Sequence, residues 1–190
     1  MTPKLFLALA CSAAISIQAQ TVKTLDLHTQ PSKNVFYVVL ASRGGSATGH
    51  AFVVWGIEDA KTHRTTVRAE GLYPEGNSSS CSSQVRTVPG GMLDELKTHS
   101  FQSIDQELIV RVDEADYRRS WQVAREWECR HEYSLFRRDC VEFVRAVGLA
   151  LGIEMPRRGV TRWTPRAYVR AVLASAEASA SISRRPIAFP

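Results

Sequence analysis

The hydrophobic pattern of this 190-residue chain changes its period after Val112. Before that point, four short runs rich in β-branched and aromatic residues are bounded by segments containing Gly, Pro and Ser, which is typical of β-strands. These runs cover residues 34–41, 49–56, 65–73 and 107–112. Beyond Val112 the apolar residues recur at helical spacing. This order predicts an α+β fold, with an antiparallel sheet of about four or five strands packed with two or three helices.

The most regular helical pattern covers residues 140–151, and it begins at a cysteine. One apolar stripe runs along it, formed by Val141, Val144, Val147 and Leu151. Asp139 is a favourable N-cap, Glu142 completes a capping-box pattern with it, and Gly152 is placed to end the helix. A helix starting at Cys140 is therefore expected.

Two further helices are predicted on either side of it. The first covers residues 113 to about 133, with acidic residues in its first turn. The last begins at Thr164-Pro165, a cap followed by proline at the first helical position, and runs to about Glu177. Trp163 and Tyr168 are spaced as its hydrophobic staple.

Residues 1–19 have the pattern of a secretory signal peptide. Lys4 gives the positive start, residues 5–17 the short apolar stretch, and cleavage is expected after Ala19. A buried N-terminal helix and a lipoprotein signal ending at Cys11 are the alternatives. The remaining length suits one domain, over residues 20–178, with a flexible tail at 179–190. An exported protein, periplasmic or extracellular and without a transmembrane segment, is expected.

Export bears on the three cysteines that follow the leader, because disulfides persist outside the cytoplasm. Three thiols cannot all pair, so one pair and one free thiol is the simplest arrangement. Cys81 lies in a long Ser-, Gly- and Pro-rich loop at residues 74–91, and a disulfide to Cys129 would pin that loop. This pairing leaves Cys140 free, whereas a disulfide at Cys140 would exclude catalysis by it.

The charge and the spacing of Cys and His argue against nucleic-acid and metal binding, and they leave the role of one arginine run open. The formal charge of +5 is too mild, and the acidic residues too evenly interspersed, to indicate nucleic-acid binding. No cluster of Cys and His has zinc-site spacing, so no metal and no cofactor is expected. Arginines follow the cysteine helix at positions that include Arg157, Arg158 and Arg162. They form a solvated face or meet an anionic surface of the cell envelope.

Cys140 and His50 are the candidate reactive groups. A thiol at a helix start is near unpaired N–H groups and the positive end of the dipole, so we expect its pKa to lie below the free value of about 8.5. His50 lies inside the strand run 49–56, where a rigid backbone would hold a general base. A hairpin turning near Ala60 would set Glu70 opposite His50, as a carboxylate to orient the imidazole. His63, nearer the turn, is the alternative third residue.

The order of these motifs resembles a known family. The strand Gly49-His50-Ala51-Phe52, the next strand Ala69-Glu70-Gly71-Leu72-Tyr73-Pro74 and the late helix Asp139-Cys140-Val141-Glu142-Phe143-Val144 are similar to the circularly permuted branch of the NlpC-type papain-like superfamily, with lecithin retinol acyltransferase and its relatives. The resemblance covers roughly residues 50–152. It implies a permuted papain-like fold, with Cys140 as nucleophile, His50 as base and Glu70 as orienting residue. The acyltransferase-like members typically have Asn where this chain has Asp139, and an anion there opposes thiolate formation.

The leading functional hypothesis is a secreted or periplasmic thiol hydrolase of amide bonds. Export and the resemblance together make peptidoglycan stem peptides the expected substrate. A lipid or acyl-ester thiol hydrolase or acyltransferase is the second hypothesis, and a catalytically inactive binding module of the envelope is the third.

Overall fold

The computed structural model describes residues 20–44, 49–75, 86–99, 104–159 and 164–183. These residues form seven strands and four helices. The strands are β1 (Thr21–Asp26), β2 (Asn34–Arg43), β3 (His50–Asp59), β4 (Thr65–Pro74), β5 (Val88–Asp94), β6 (Ile104–Val112) and β7 (Glu132–Tyr133). The helices are α1 (Glu95–His99), α2 (Glu114–Glu128), α3 (Cys140–Ala150) and α4 (Pro165–Ser183).

All seven strands join one mixed sheet in the order β1-β6-β2-β3-β4-β5-β7. The pair β1 and β6 is parallel, and the other neighbours are antiparallel. The α+β class predicted from the sequence is confirmed, but the sheet has more strands than the predicted four or five. The unpredicted strands are β1, β5 and β7. β1 is polar and largely exposed at the sheet edge, and β5 contains Pro89, Gly90 and Gly91, so neither has a strand-like apolar run.

The main core lies between one face of the sheet and helices α2, α3 and α4. Its largest fully buried side chains include Trp55 of β3, Phe143 of α3 and Tyr168 of α4. Trp55 also donates its indole N–H to Ser120 Oγ of α2 at 2.9 Å, which satisfies the one polar atom of that buried ring. A smaller apolar cluster, including Phe52 and Val54, lies on the opposite face with Leu96 of α1. Alternation along β3 therefore serves two apolar layers.

The cysteine helix forms as its sequence pattern predicts. Asp139 caps α3, because its Oδ1 accepts hydrogen bonds from the backbone N–H groups of Val141 and Glu142, each at 3.1 Å. Gly152 follows the helix with a φ of +75°, a conformation that glycine adopts without strain. The Asp139 cap fixes where α3 begins, and so places Cys140 in its first turn, while Gly152 marks where the helix stops.

The other helices differ from the predictions at their ends. α2 ends at Glu128, and His131 adopts a φ of +46° before β7, so the helix does not reach residue 133. α4 begins where predicted, with Thr164 Oγ1 accepting from Ala167 N–H at 3.2 Å, but it continues beyond Glu177 to Ser183.

Several predictions fall outside the described residues: the signal peptide at 1–19, Cys81, Arg162, Trp163 and the last part of the tail. Within the described part of the chain, no helix has the length and apolar character needed to cross a membrane.

Candidate active site

Cys140 occupies the first turn of α3, where the helix packs against the start of β3. The residue is 5% exposed. The backbone N–H groups of Ala51 and of Cys140 itself lie near the sulfur, where they favour the thiolate. Because Ala51 is the neighbour of His50 in β3, the α3 cap and the β3 start bring the predicted nucleophile beside the segment that carries the predicted base.

Asp139 is buried next to the thiol and is paired with a cation. Its Oδ2 lies 2.7 Å from Nη1 of Arg158, with the two side chains 1% and 10% exposed, and it also accepts from the backbone N–H of Phe136 at 3.1 Å. Arg158 is therefore a buried partner of the helix cap. The prediction that it belongs to a solvated or surface-binding arginine face is wrong, although Arg157 is exposed.

The thiol is less acidic than the sequence predicts. Burial raises the pKa of Cys140 to about 12, and the charge of Asp139 adds to the increase. The Ala51 N–H and the Arg158 guanidinium act in the opposite direction without overcoming it. The expectation of a pKa below 8.5 is thus wrong, since desolvation of the thiolate outweighs the dipole at the helix start. In the resting protein Cys140 is a protonated thiol.

His50 is held by a carboxylate from α1. Its Nε2–H donates to Oε1 of Glu95 at 3.1 Å, and its ring stacks on Tyr73 with centroids 4.1 Å apart. An ionised carboxylate only accepts hydrogen bonds, so this contact selects the tautomer with hydrogen on Nε2. Gly49 precedes His50 with a φ of +72°, and a side chain there would meet the carbonyl oxygen of Arg43 at 2.8 Å. Glycine is therefore required where the chain enters β3.

Glu95 is the centre of a buried polar cluster. Its side chain is 1% exposed; Oε2 lies 2.7 Å from Nη2 of Arg43, and Oε1 also accepts from the Tyr73 hydroxyl at 2.8 Å. Arg43 hydrogen-bonds to the Tyr73 hydroxyl as well. Burial alone would raise the pKa of Glu95, but the contacts with His50, Tyr73 and Arg43 together lower it below its usual value. The carboxylate is therefore ionised at neutral pH, with Oε1 hydrogen-bonded and Oε2 held by the ion pair to Arg43.

Gly71 provides the space in which His50 meets Glu95. A Cβ at this position would lie 2.3 Å from Glu95 Oε1 and 2.4 Å from His50 Nε2. Real Cβ atoms do not approach other atoms this closely, so any larger residue must displace one partner or both.

The third residue predicted from hairpin register is placed elsewhere. Glu70 is opposite Val53 rather than His50, so the predicted register is wrong by three residues. An odd shift exchanges the faces of a strand, and Glu70 instead accepts a hydrogen bond from Arg125 of α2 at 2.9 Å. His63 is in the turn after β3, 77% exposed, and contacts Glu58 at 2.8 Å. Neither Glu70 nor His63 therefore lies beside His50.

Tyr73 belongs to the imidazole cluster and lies within electrostatic range of the thiol. It stacks on His50 and hydrogen-bonds to Glu95. Its pKa is raised first by burial, then by Glu95, and further by Cys140 when that thiol is ionised. Tyr133 of β7 is also near the thiol, and its pKa is raised by burial and by the proximity of Cys140 and Asp139. The site thus contains a buried thiol, a histidine of fixed tautomer and two tyrosines.

Sequence reasoning missed Glu95, which lies 45 residues from His50. One signal was available: Asp94-Glu95 follows Met92-Leu93, so a carboxylate comes at the end of an apolar pair. That signal is common in surface loops, and only the β4–β5 pairing places Glu95 beside His50.

Cys129 is exposed with a free thiol, and Cys140 is also free. The structure thus contains no disulfide between described cysteines, and Cys81, the predicted partner of Cys129, lies outside them. Across residues 20–44, 49–75, 86–99, 104–159 and 164–183, no group of three or more His, Cys, Asp or Glu side chains could hold a metal ion.

Searches of protein-family models, of curated proteins and of solved structures find no match to this chain.

Proposed function

We propose that the protein is an exported cysteine hydrolase in which Cys140 is the nucleophile, His50 the general base and Glu95 the residue that orients the base. The observation that supports this most strongly is the partly buried hydrogen bond between His50 and Glu95. His50 adjoins Ala51 in β3, and the Ala51 N–H is near enough to the Cys140 sulfur to lower its pKa. A nucleophile, a base and a group that holds the base recur in enzymes that form covalent intermediates.

The raised pKa of the thiol determines how the first step proceeds. Because Cys140 is protonated at neutral pH, its proton must leave as the sulfur attacks the carbonyl carbon. Nε2 of His50 is committed to Glu95, so Nδ1 is the nitrogen that accepts this proton. The C=O π bond opens to an alkoxide, which the backbone N–H groups at the start of α3 stabilise. Collapse of this intermediate expels the amine, which takes the proton from His50, and water then releases the acyl group.

Glu95 acts in this scheme mainly by orientation. Its hydrogen bond holds the ring and its tautomer through each proton transfer. Arg43 neutralises much of its charge, which keeps the carboxylate ionised in a buried place at the cost of a weaker attraction for the imidazolium. The removal of either partner would leave the other buried without compensation.

The substrate proposal depends on the order of motifs and on the predicted leader. The resemblance to the permuted papain-like branch and export from the cytoplasm favour an amide bond of peptidoglycan stem peptides. An acyl ester of a lipid is the second candidate, and its support is Phe136. This aromatic side chain is 48% exposed, three residues before the cap of the nucleophile helix, where it could contact an acyl chain.

The test is release of new amino groups from purified sacculi, beside release of fatty acid from phospholipid vesicles. Wild-type protein, Cys140→Ala and His50→Ala are compared, with Cys129→Ala as the matched cysteine control. Amine release lost in the first two variants and kept in the control supports an amidase. Fatty-acid release with the same dependence indicates the lipid candidate instead. No turnover of either substrate by the wild-type protein would refute both and leave a binding module.

A further inference from the structure

A polar pocket lies at the edge of the sheet, away from the thiol. It has a volume of about 440 Å³ and is formed by β1, the start of β6 and one face of α4. Its polar lining residues are Thr21, Lys23, Asp105, Gln106, Arg166 and Arg170. Arg166 and Arg170 are four residues apart, so both side chains come from the same side of α4.

The pocket has more positive than negative charge in its lining. Three of its side chains are cationic and one, Asp105, is a carboxylate. Lys23 pairs with Glu177 outside the lining, whereas Arg170 is exposed and has no ion-pair partner among the described residues. Arg170 is therefore available for an anion from solution.

Arg166 is only loosely engaged. Its Nε lies 3.7 Å from Asp105 Oδ2, which is too long for a hydrogen bond. Both atoms are buried and have no hydrogen-bond partner among the described residues. Buried polar atoms normally find partners, so this pair leaves hydrogen-bonding capacity inside the pocket.

The pocket lies level with the candidate active site along the sheet. Thr21 pairs with Gln106, Gln106 with Ser42, and Ser42 with Ala51, whose N–H meets the Cys140 sulfur. β6 and β1 are two and three strands away from β3, which corresponds to roughly 10 to 14 Å at the usual strand spacing. An extended peptide covers that distance with about three or four residues.

From this placement we propose that the Arg166–Arg170 pocket binds an oxyanion of the substrate, a carboxylate or a phosphate, at some distance from the bond that Cys140 attacks. Planar guanidinium groups suit both anions, since two parallel N–H donors match two oxygens. The substrate role rests on the proposed function, whereas anion binding itself does not. Asp105 limits the charge, so the pocket favours a single oxyanion over a polyanion.

The experiment titrates the 15N-labelled protein with sodium phosphate and, separately, with sodium succinate, at constant ionic strength set with sodium chloride. Backbone amide shifts of Gln106 and Arg170 report the binding. Arg170→Gln is compared with Arg118→Gln, which removes another exposed arginine, from α2, where it pairs with Glu114. Cys140→Ala is included because it abolishes the proposed chemistry without touching the pocket.

The proposal is supported if the shifts saturate and the fitted affinity falls roughly tenfold in Arg170→Gln. The affinity should be unchanged in Arg118→Gln and in Cys140→Ala. The tighter of the two anions identifies the group it prefers. Shifts that do not saturate, or equal affinities in the two arginine variants, overturn the proposal. If the wild-type protein cleaves sacculi, Arg170→Gln should raise KM and leave kcat unchanged, and an unchanged KM overturns the substrate role. Binding that persists without any turnover refutes the enzyme instead of the pocket.

Discussion

The substitution Gly71→Ala tests the His50–Glu95 contact through a single methyl group. Its Cβ would lie 2.3 Å from Glu95 Oε1 and 2.4 Å from His50 Nε2. Ordinary van der Waals contact needs about 1 Å more. Because the two atoms are already 3.1 Å apart, a displacement of that size separates them beyond hydrogen-bond distance.

The cost follows from overpacking. Forcing a methyl group into a filled site typically costs about 1–3 kcal/mol of unfolding free energy. Alanine loses less backbone entropy on folding than glycine, which returns about 0.4–1 kcal/mol. We expect a net loss of about 1–2 kcal/mol, and hence a Tm lower by roughly 2 to 8 °C for a chain of this length.

The assay is thermal unfolding followed by circular dichroism, with the His50 imidazole observed by 1H–15N NMR. Gly159→Ala is the matched control, because a Cβ at Gly159 meets nothing within 4 Å. Gly71→Ala should unfold at a lower temperature than this control and should lose the Nε2–H signal of a hydrogen-bonded imidazole. Equal Tm values with an unchanged His50 spectrum would refute the assignment of Gly71 as the space for this contact.

Three further predictions concern the buried thiol. Iodoacetamide should label exposed Cys129 before Cys140. The rate of Cys140 labelling should keep rising beyond pH 9, because a pKa of about 12 leaves about one thiolate in ten thousand at pH 8. A rate that reaches a plateau below pH 9 would contradict this. The folded pKa is raised, so above about pH 8.5 the unfolded chain loses a proton that the folded chain retains, and the free energy of unfolding should fall by about 1.4 kcal/mol per pH unit through this group. Denaturant unfolding at pH 8 and pH 10 should show this fall in the wild-type protein and a smaller fall in Cys140→Ala. An equal fall in the free energy of unfolding of both proteins would contradict the prediction. Asp139→Asn should make Cys140 labelling faster at pH 8, because it removes an anion beside the sulfur. The same substitution breaks the buried pair with Arg158 and should lower the free energy of unfolding by about 3 kcal/mol. Slower labelling would show that Asp139 does not oppose the thiolate.

The sequence was most informative where the pattern was local. The stripe from Val141 to Leu151, with Asp139 before it and Gly152 after it, contains its own start and stop signals, so α3 lies where it was predicted. The strands β2, β3, β4 and β6 follow from apolar runs of similar clarity. β1 lacks such a run because it pairs at an edge and is largely exposed.

The site depended on contacts that local patterns do not contain. A register three residues from the predicted one was enough to move Glu70 to the face of Arg125 and to set Tyr73 near His50. Glu95 entered the site through the pairing of β4 with β5. The thiol pKa was predicted in the wrong direction because the dipole is visible in a sequence, whereas burial is a property of the folded chain.

The measurement that tests the central claim most directly compares Glu95→Gln with Glu70→Gln for amine release from sacculi. The two substitutions remove one buried carboxylate each, and far-UV circular dichroism establishes that both variants are folded. The account predicts that Glu95→Gln loses about a hundredfold or more in rate, because the imidazole loses its orienting group, and that Glu70→Gln retains most of the rate. Loss of activity in Glu70→Gln with activity retained in Glu95→Gln would contradict it.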